Sequence, residues 1–244
     1  MTSPYLARIH DLLDQMAETN AGPLPVAADR LAQTIANDGL VHAFGSGHSA
    51  LLAQEIFHRA GGLAPINAML DANLTIFGTS RPTFLERTEG YATSLFVNHR
   101  VEPGDVVLVI STSGINAVPV EVARIAKERG IFTIAVGSAA VYANAASRHS
   151  SGLTTFQIAD LVLDTCVPMG DALHEIDETG VAVGAASTIL GSALLNELVI
   201  ATTQRLSDRG ADIPVFTSQN VPGGDEANAA LLDRYAPRIP LMKT

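Results

Sequence analysis

The sequence predicts an α/β fold, a doubly wound five-stranded parallel sheet preceded by an N-terminal helical arm. Five short apolar runs recur along the chain, and the segments between them show helical periodicity. The central run, residues 105–110, is rich in β-branched residues, as expected for a strand covered on both faces. Ser- and Gly-rich turns follow the first and third runs, at the carboxyl ends where such sheets place their ligands.

The predicted strands share an apolar composition. They cover residues 40–44, 65–70, 105–110, 132–136 and 160–164. Helices are predicted between them wherever apolar residues recur every three or four positions. These helices cover the segment from Ser49 to about Gly61 and residues 83–98, 116–129 and 179–209. Right-handed crossovers through such helices give a doubly wound sheet.

The sequence divides into three parts. Two amphipathic helical patterns predict the arm over residues 1–38. The alternating strands and helices predict one domain over residues 39–209, long enough to bury a substantial core. Residues 210–244 contain Pro214, Pro222 and Pro237, and predict an irregular tail that finishes in a short helix.

Composition limits the classes of partner. The 244 residues are 47% apolar and carry a formal net charge of -10, which argues against nucleic acid and anionic membranes as partners. The stretch most similar to a membrane span, residues 181–195, is uncharged but too short to cross a membrane. Cys166 is the single cysteine, and no basic segment followed by an apolar one opens the chain, so we expect a cytoplasmic protein.

The segment 179–209 predicts the oligomeric state. It reads as one long helix that is apolar on nearly every side. A helix of this kind has to be buried, and a second subunit can supply the cover. We therefore expect a homodimer.

The turn after the central strand has the composition of a phosphate site. Ser111, Thr112 and Ser113 each carry a hydroxyl group, and Gly114 lets the backbone approach a ligand closely. The helix that begins near Asn116 directs free N–H groups and the positive end of its dipole to the same place. Ser and Thr at a helix start are also ordinary N-caps that need no ligand, so both interpretations stay open.

The turn after the first strand allows two interpretations. Residues 45–49 could line a ligand beside the turn after the central strand, because both turns end strands of one sheet. They also begin a G-x-G-x-x-A pattern, with Asp71 near the position of a ribose-binding carboxylate, which would suit a dinucleotide. A single match to this pattern is weak, and a dinucleotide site leaves the second hydroxyl-rich turn unexplained.

The strings Gly45-Ser46-Gly47-His48-Ser49 and Ser111-Thr112-Ser113-Gly114 resemble those of the SIS (sugar isomerase) domain, a flavodoxin-like phosphosugar-binding fold. The resemblance covers residues 38–209. When the string over residues 147–152 is included, the sequence resembles one branch of this family. That branch is related to phosphoheptose isomerase and N-acetylmuramic acid 6-phosphate etherase. It implies a sugar phosphate as the small-molecule partner. The implied phosphate ligands are Ser111, Thr112, Ser113 and Asn116, and Ser46 and Gly47 would line the same ligand.

Two residues are candidates for the proton transfer that isomerisation or elimination requires. Glu89 lies on the predicted helix 83–98, roughly where family members carry an acid or base. His174 would share a helical face with Asp171, Glu175 and Glu178 if residues 171–178 are helical. Both sets of residues could instead be solvated helix faces.

Three further residues could contact the ligand. His48 lies inside the first turn, and Arg148 and His149 could add positive charge beside the phosphate after the fourth strand. The latter two could equally belong to a mobile surface loop. No cofactor is expected, and no metal, because no recognised ligand spacing is complete.

The leading functional hypothesis is a phosphosugar isomerase. An etherase would bind the phosphate group at the same turns and would remove a proton from a different carbon of the sugar. A sensor would bind the sugar phosphate without converting it. An NAD-dependent enzyme is the least favoured alternative.

Overall fold

The computed structural model describes residues 3–75 and 81–242, except for the side chains of residues 81 and 82. Its helices are α1 Pro4–Asn20, α2 Pro23–Ala36, α3 Ser49–Glu55, α4 Arg81–Leu85, α5 Ala92–His99, α6 Ala117–Glu128, α7 Thr155–Ile158, α8 Ser187–Asp208 and α9 Gly224–Tyr235. Its strands are β1 Val41–Gly45, β2 Ile66–Ala68, β3 Val106–Ile110, β4 Phe132–Gly137, β5 Leu161–Asp164, β6 Ala172–Glu175 and β7 Ala182–Ala185. Short 3-10 helices cover Asp177–Thr179 and Pro240–Met242.

Strands β1 to β5 form one all-parallel sheet in the order β2-β1-β3-β4-β5. The predicted fold class is therefore confirmed. The central strand β3 is buried along its whole length. Its side chains alternate between two cores, with Leu108 packing on the side of α1, α2 and α8, and Val107 and Val109 on the side of α5 and α6. Burial on both faces explains why β-branched residues fill this strand.

The predicted helix 83–98 is wrong in its middle. The chain forms α4, leaves the helical conformation over residues 86–91, and starts again as α5. Gly90 has φ of +85° in this break. The carboxylate of Glu121, a residue of α6, accepts hydrogen bonds from the backbone N–H groups of Gly90 and Ala92 and so gives α5 its start. Glu89 consequently lies in a turn and not on a helix.

The predicted helix 179–209 is also wrong in its first turns, and His174 lies on no helix. Residues 172–185 form an antiparallel hairpin of β6 and β7, in which His174 pairs with Val183. Helix α8 begins only at Ser187. The Asp171 carboxylate fixes this start, because it accepts hydrogen bonds from the N–H groups of Ala186 and Ser187 and from the Ser187 hydroxyl.

The N-terminal helices pack against the sheet as part of its core. Ile9, Leu12 and Leu31 are buried with residues of α8. Asn20, at the end of α1, is buried and reaches strand β5. Its Nδ2 donates to the Asp164 carbonyl at 2.7 Å, and its Oδ1 accepts from the Asp164 N–H at 3.0 Å. The amide thereby continues the hydrogen-bond pattern of the sheet beyond its last strand.

The tail packs beside β2. The segment around Val215 forms an antiparallel bridge with Leu63, and the Ala64 N–H donates to the Pro214 carbonyl at 2.7 Å. Helix α9 then contributes Tyr235 to a third apolar cluster. Within the described part of the chain, no helix is long and apolar enough to cross a membrane.

A buried polar cluster lies at the amino end of the sheet. Asp105 is 1% exposed, and its carboxylate accepts hydrogen bonds from the His42 imidazole and the Arg238 guanidinium, at 2.9 and 2.8 Å. It also accepts from the N–H groups of Leu40 and Glu102. Asp105 therefore joins strand β1, the turn before β3 and the C-terminal tail.

Candidate functional site

The two Ser- and Gly-rich turns lie side by side. They follow β1 and β3, which pair in parallel so that Gly45 stands opposite Ile110 at the last position of each strand. Both turns therefore open at the carboxyl end of the sheet, the usual place for a ligand in this architecture.

Residues 111–117 bring several unpaired backbone N–H groups together in one turn. The N–H groups of Thr112, Ser113, Ile115, Asn116 and Ala117 donate to no acceptor among the described residues. Unpaired backbone N–H groups gathered at the start of a helix form a concavity suited to phosphate or carboxylate. We call residues 111–117 the anion cradle.

The three hydroxyl groups of the cradle have different roles. The Ser111 oxygen accepts the Gly114 N–H at 3.1 Å and so holds the turn closed. The hydroxyls of Thr112 and Ser113 have no partner in the described part of the chain and are available to a ligand.

Glycine is required twice for this turn. Gly114 has φ of +64°, and an added Cβ would lie 2.7 Å from the Phe156 ring. A Cβ on Gly137, at the end of β4, would lie 2.0 Å from the Ser111 carbonyl oxygen. Both positions let neighbouring segments approach closely enough to shape the cradle.

The first turn is fixed by the segment after β2. The Gly47 N–H donates to the Leu74 carbonyl at 2.7 Å, and Gly47 has φ of +56°. His48 is the N-cap residue of α3 but makes no capping bond with its side chain. Of the predicted residues in this turn, Ser46 makes the contact that joins the turn to the rest of the site.

Glu86 connects the two turns. Its Oε2 accepts the Ser46 hydroxyl at 3.0 Å, and its Oε1 accepts the Asn116 amide at 2.8 Å. Burial raises the pKa of the Glu86 carboxyl above its ordinary value, although the Ser46 bond and the charges of Arg87 and Arg148 oppose the shift. A half-buried carboxyl group with a raised pKa, beside an anion cradle, is equipped for proton transfer.

Sequence reasoning did not identify Glu86 as a candidate, because the predicted helix 83–98 allows residues 86–89 to form a solvated face. On a continuous helix, residues 86 and 89 lie on the same side, so the pattern could not separate them. A signal was nevertheless present, because Gly90 follows closely and is a poor residue for a helix interior.

Arg148 lies against the cradle. Its N–H donates to the Ile115 carbonyl at 2.8 Å, and its guanidinium donates to the Asn116 Oδ1 at 2.6 Å. Asn116 in turn donates to Glu86. Arg148, Asn116 and Glu86 therefore form a continuous hydrogen-bonded series beside the cradle.

Glu89 and His149 form a second group. The Glu89 carboxylate accepts the N–H and the hydroxyl of Ser150, at 2.6 and 2.7 Å, and these bonds lower its pKa. The buried His149 imidazole lies 3.8 Å from Glu89 and 3.9 Å from Glu121. These contacts tie the loop after β4 to the break between α4 and α5. His174 is exposed on the hairpin and forms no hydrogen bond with either group in the described part of the chain.

Over residues 3–75 and 81–242, no three His, Cys, Asp or Glu side chains are grouped so that they could hold a metal ion.

Sequence comparison assigns this arrangement to a family. The profile of the SIS domain matches residues 4–138, more than half of the chain and a range that includes both turns and Glu86. The chain belongs to the SIS domain family. A UPF0309 protein of Halalkalibacterium halodurans is 37% identical to this SIS protein over 243 residues, covering 99% of this chain and 97% of the relative. A UPF0309 protein of Listeria innocua is also 37% identical, covering 99% and 98%.

A solved structure shares the SIS fold. Phosphoheptose isomerase GmhA from Neisseria gonorrhoeae superimposes with a TM-score of 0.51 at 21% identity, over 83% of this chain and 95% of that chain. The SIS profile ends at residue 138, whereas the match to the UPF0309 proteins continues through Arg148, the hairpin and α8.

Proposed function

We propose that this SIS domain protein binds a sugar phosphate and interconverts its aldose and ketose forms by general acid-base proton transfer. The observation that carries the proposal is the position of Glu86, whose carboxyl group bridges Ser46 of the first turn and Asn116 of the second. A phosphate group held by the anion cradle would place the adjoining sugar carbons beside this carboxyl group. The similarly folded protein from Neisseria gonorrhoeae is a phosphoheptose isomerase, and an isomerase activity agrees with this proposal.

Glu86 is our first choice for the proton-transferring group. In the reaction, a base takes the proton from the carbon next to the carbonyl group and returns it to the neighbouring carbon. The raised pKa of Glu86 makes it a stronger base than an ordinary carboxylate and brings its pKa closer to neutral pH. Glu89 and His174 remain the alternatives drawn from the sequence. The Glu89 carboxylate is already engaged by Ser150.

The geometry favours a phosphosugar over a dinucleotide. A pyrophosphate on the first turn would need the backbone N–H of Gly47, which is bonded to Leu74. The carboxylate of Asp71 accepts the Asn73 N–H at 2.8 Å and the hydroxyl of Tyr91, the residue before α5, at 2.9 Å, so it is already hydrogen-bonded within the protein. Free N–H groups are instead concentrated in the anion cradle.

The proposal includes a homodimer in the cytoplasm. Ile189 and Ile200, on the outer side of α8, are 42% and 63% exposed in the single chain. Packing of α8 against a second copy would remove these side chains from water. Sedimentation at micromolar concentration is expected to give the mass of a dimer, and the mass of a monomer would contradict this part of the proposal.

Replacing Ser113 by Ala is expected to weaken sugar phosphate binding about tenfold, because one hydrogen bond to a charged oxygen is lost. Thermal shift and calorimetry with hexose, amino-sugar, heptose and muramic acid phosphates measure the effect, with NAD and NADP in the same panel. Ser192→Ala, on α8, is the matched control and should bind as the wild type. Stabilisation by the nucleotides alone would overturn the phosphosugar assignment.

The products distinguish the reaction classes. Interconversion of aldose and ketose supports the isomerase. Elimination of an ether substituent would identify an etherase, and binding without conversion of any member of the panel would identify a sensor.

A further inference from the structure

A cavity of about 190 Å³ lies at the amino end of the sheet, away from the anion cradle. One wall is formed by residues 58–60, which follow α3, and the other by residues 216–220 of the tail together with Asn228. Residues 58–60 are followed along the chain by β2, whose first residue, Ile66, pairs with Val41 at the start of β1. The anion cradle follows the other end of the sheet. The two places are therefore separated by about the length of a five-residue strand, roughly 16 Å.

The walls of this cavity are fixed before any ligand arrives. The Gly61 N–H donates to the Phe216 carbonyl at 2.8 Å, and the Phe216 N–H donates to the Gly62 carbonyl at 2.9 Å. The buried amide of Asn228 accepts the Thr217 N–H and donates to the Thr217 carbonyl, at 2.9 and 2.8 Å. Rigid walls reduce the entropy that is lost on binding.

His58 stands at the rim in a conformation that costs energy. Its φ is +43°, in the left-handed region that few residues other than glycine adopt. Its ring meets the Phe216 ring edge-on, at 82° and with centroids 4.9 Å apart. Strained residues held by their surroundings are concentrated at binding sites.

The lining combines hydrogen-bond donors and acceptors. Among the described residues, the side-chain amides of Gln219 and Asn220 have no partner, and neither does the His58 imidazole. Arg59 is paired with Glu55, which also accepts the Asn196 amide at 3.3 Å. The guanidinium charge is thus largely balanced, while most of its N–H donors stay open.

The hydrogen-bond donors and acceptors that line the cavity indicate which class of ligand it would bind. Sugar hydroxyl groups both donate and accept hydrogen bonds, so they can use amide oxygens and nitrogens together, whereas phosphate oxygens only accept. The volume of about 190 Å³ is many times the space that one bound water needs, so a single sugar ring is small enough to enter. We propose that this cavity, at residues 58–60 and 216–220, is a second site that binds a neutral monosaccharide. The proposal does not depend on the function proposed for the cradle.

Ligand-observed NMR titration of the full chain tests the proposal. The probes are glucose, galactose, mannose and N-acetylglucosamine, which lack a phosphate group. The variant Gln219→Ala/Asn220→Ala changes two exposed side chains and leaves the fold intact. The matched control is Gln15→Ala, an exposed glutamine on α1. Ser113→Ala separates this site from the cradle.

At least one neutral sugar is expected to bind the wild type. Loss of the two amides should weaken it about tenfold or more, since each hydrogen bond contributes severalfold. Gln15→Ala and Ser113→Ala should bind the sugar as the wild type does. The proposal is overturned if no sugar of the panel binds, if the double variant binds equally well, or if inorganic phosphate displaces the sugar competitively. If the protein binds a neutral sugar as expected but binds sugar phosphates weakly, this result would contradict only the function proposed for the anion cradle.

Discussion

Replacing Glu86 by Gln is expected to lower turnover about 10²- to 10⁴-fold, the usual contribution of a positioned acid or base. Gln has the same shape and can still contact Ser46 and Asn116, so the affinity for the sugar phosphate should change little. Steady-state kcat and the exchange of deuterium from D2O into the substrate measure the effect, using the sugar phosphate selected by the binding panel. Both should fall together, because both need removal of a carbon-bound proton.

The matched control for this prediction is Glu89→Gln, three residues away. It removes a carboxylate that contacts Ser150, and it should retain most of the turnover. Loss of turnover in Glu89→Gln with retention in Glu86→Gln would reverse the assignment. The pH dependence supplies a second test. A base must be ionised, and burial raises the pKa of Glu86, so kcat of the wild type should rise with pH through a value above the ordinary carboxyl pKa.

Replacing Asp105 by Asn is expected to destabilise the fold by about 3–5 kcal/mol, the range seen when one partner of a buried ion pair is removed. The carboxylate accepts hydrogen bonds from His42, Arg238 and two backbone N–H groups. An amide can accept on one atom only, so at least one of these donors would be left unpaired. Urea unfolding measures the free energy of unfolding directly.

The control for this prediction is Asp29→Asn. Asp29 contacts Arg205 and Arg209, but its side chain is 50% exposed, so the loss should stay below about 1 kcal/mol. Equal effects of the two substitutions would contradict the structural role assigned to Asp105.

The same cluster predicts how stability depends on pH. Burial tends to raise the pKa of Asp105, but hydrogen bonds from His42, Leu40 and Glu102 outweigh it, so the pKa lies below its ordinary value of 3.8. A carboxyl group whose pKa is lowered by folding stabilises the protein above the pKa of the unfolded chain. This stabilisation is lost as the pH falls below that value and through the pKa of the folded state. Asp105→Asn should lack this component.

The architecture could be predicted from the sequence because its signals are local. Strand β3 is recognisable from its β-branched residues alone, and the two Ser- and Gly-rich turns follow from composition and from their places after strands. Parallel pairing then puts both turns at one end of the sheet. The cradle required no long-range information.

The errors arose where distant residues decide local structure. The break over residues 86–91, which contains both Glu86 and Glu89, depends on Glu121, which belongs to another helix. The start of α8 depends on Asp171, at the far side of a hairpin whose apolar residues also suit a helix. Helical periodicity indicates that each segment is helical. It does not show which distant side chain fixes the residue at which the helix begins.

The amide of Asn20 has a consequence for how the molecule meets its neighbours. A parallel sheet exposes unpaired backbone groups at its two outer strands, and such edges invite strand addition and aggregation. Asn20 occupies backbone groups of β5 at one edge, and the segment around Val215 covers the chain leading into β2 at the other. Segments from opposite ends of the sequence thus protect both edges. Both contacts work against strand addition at the edges of the sheet.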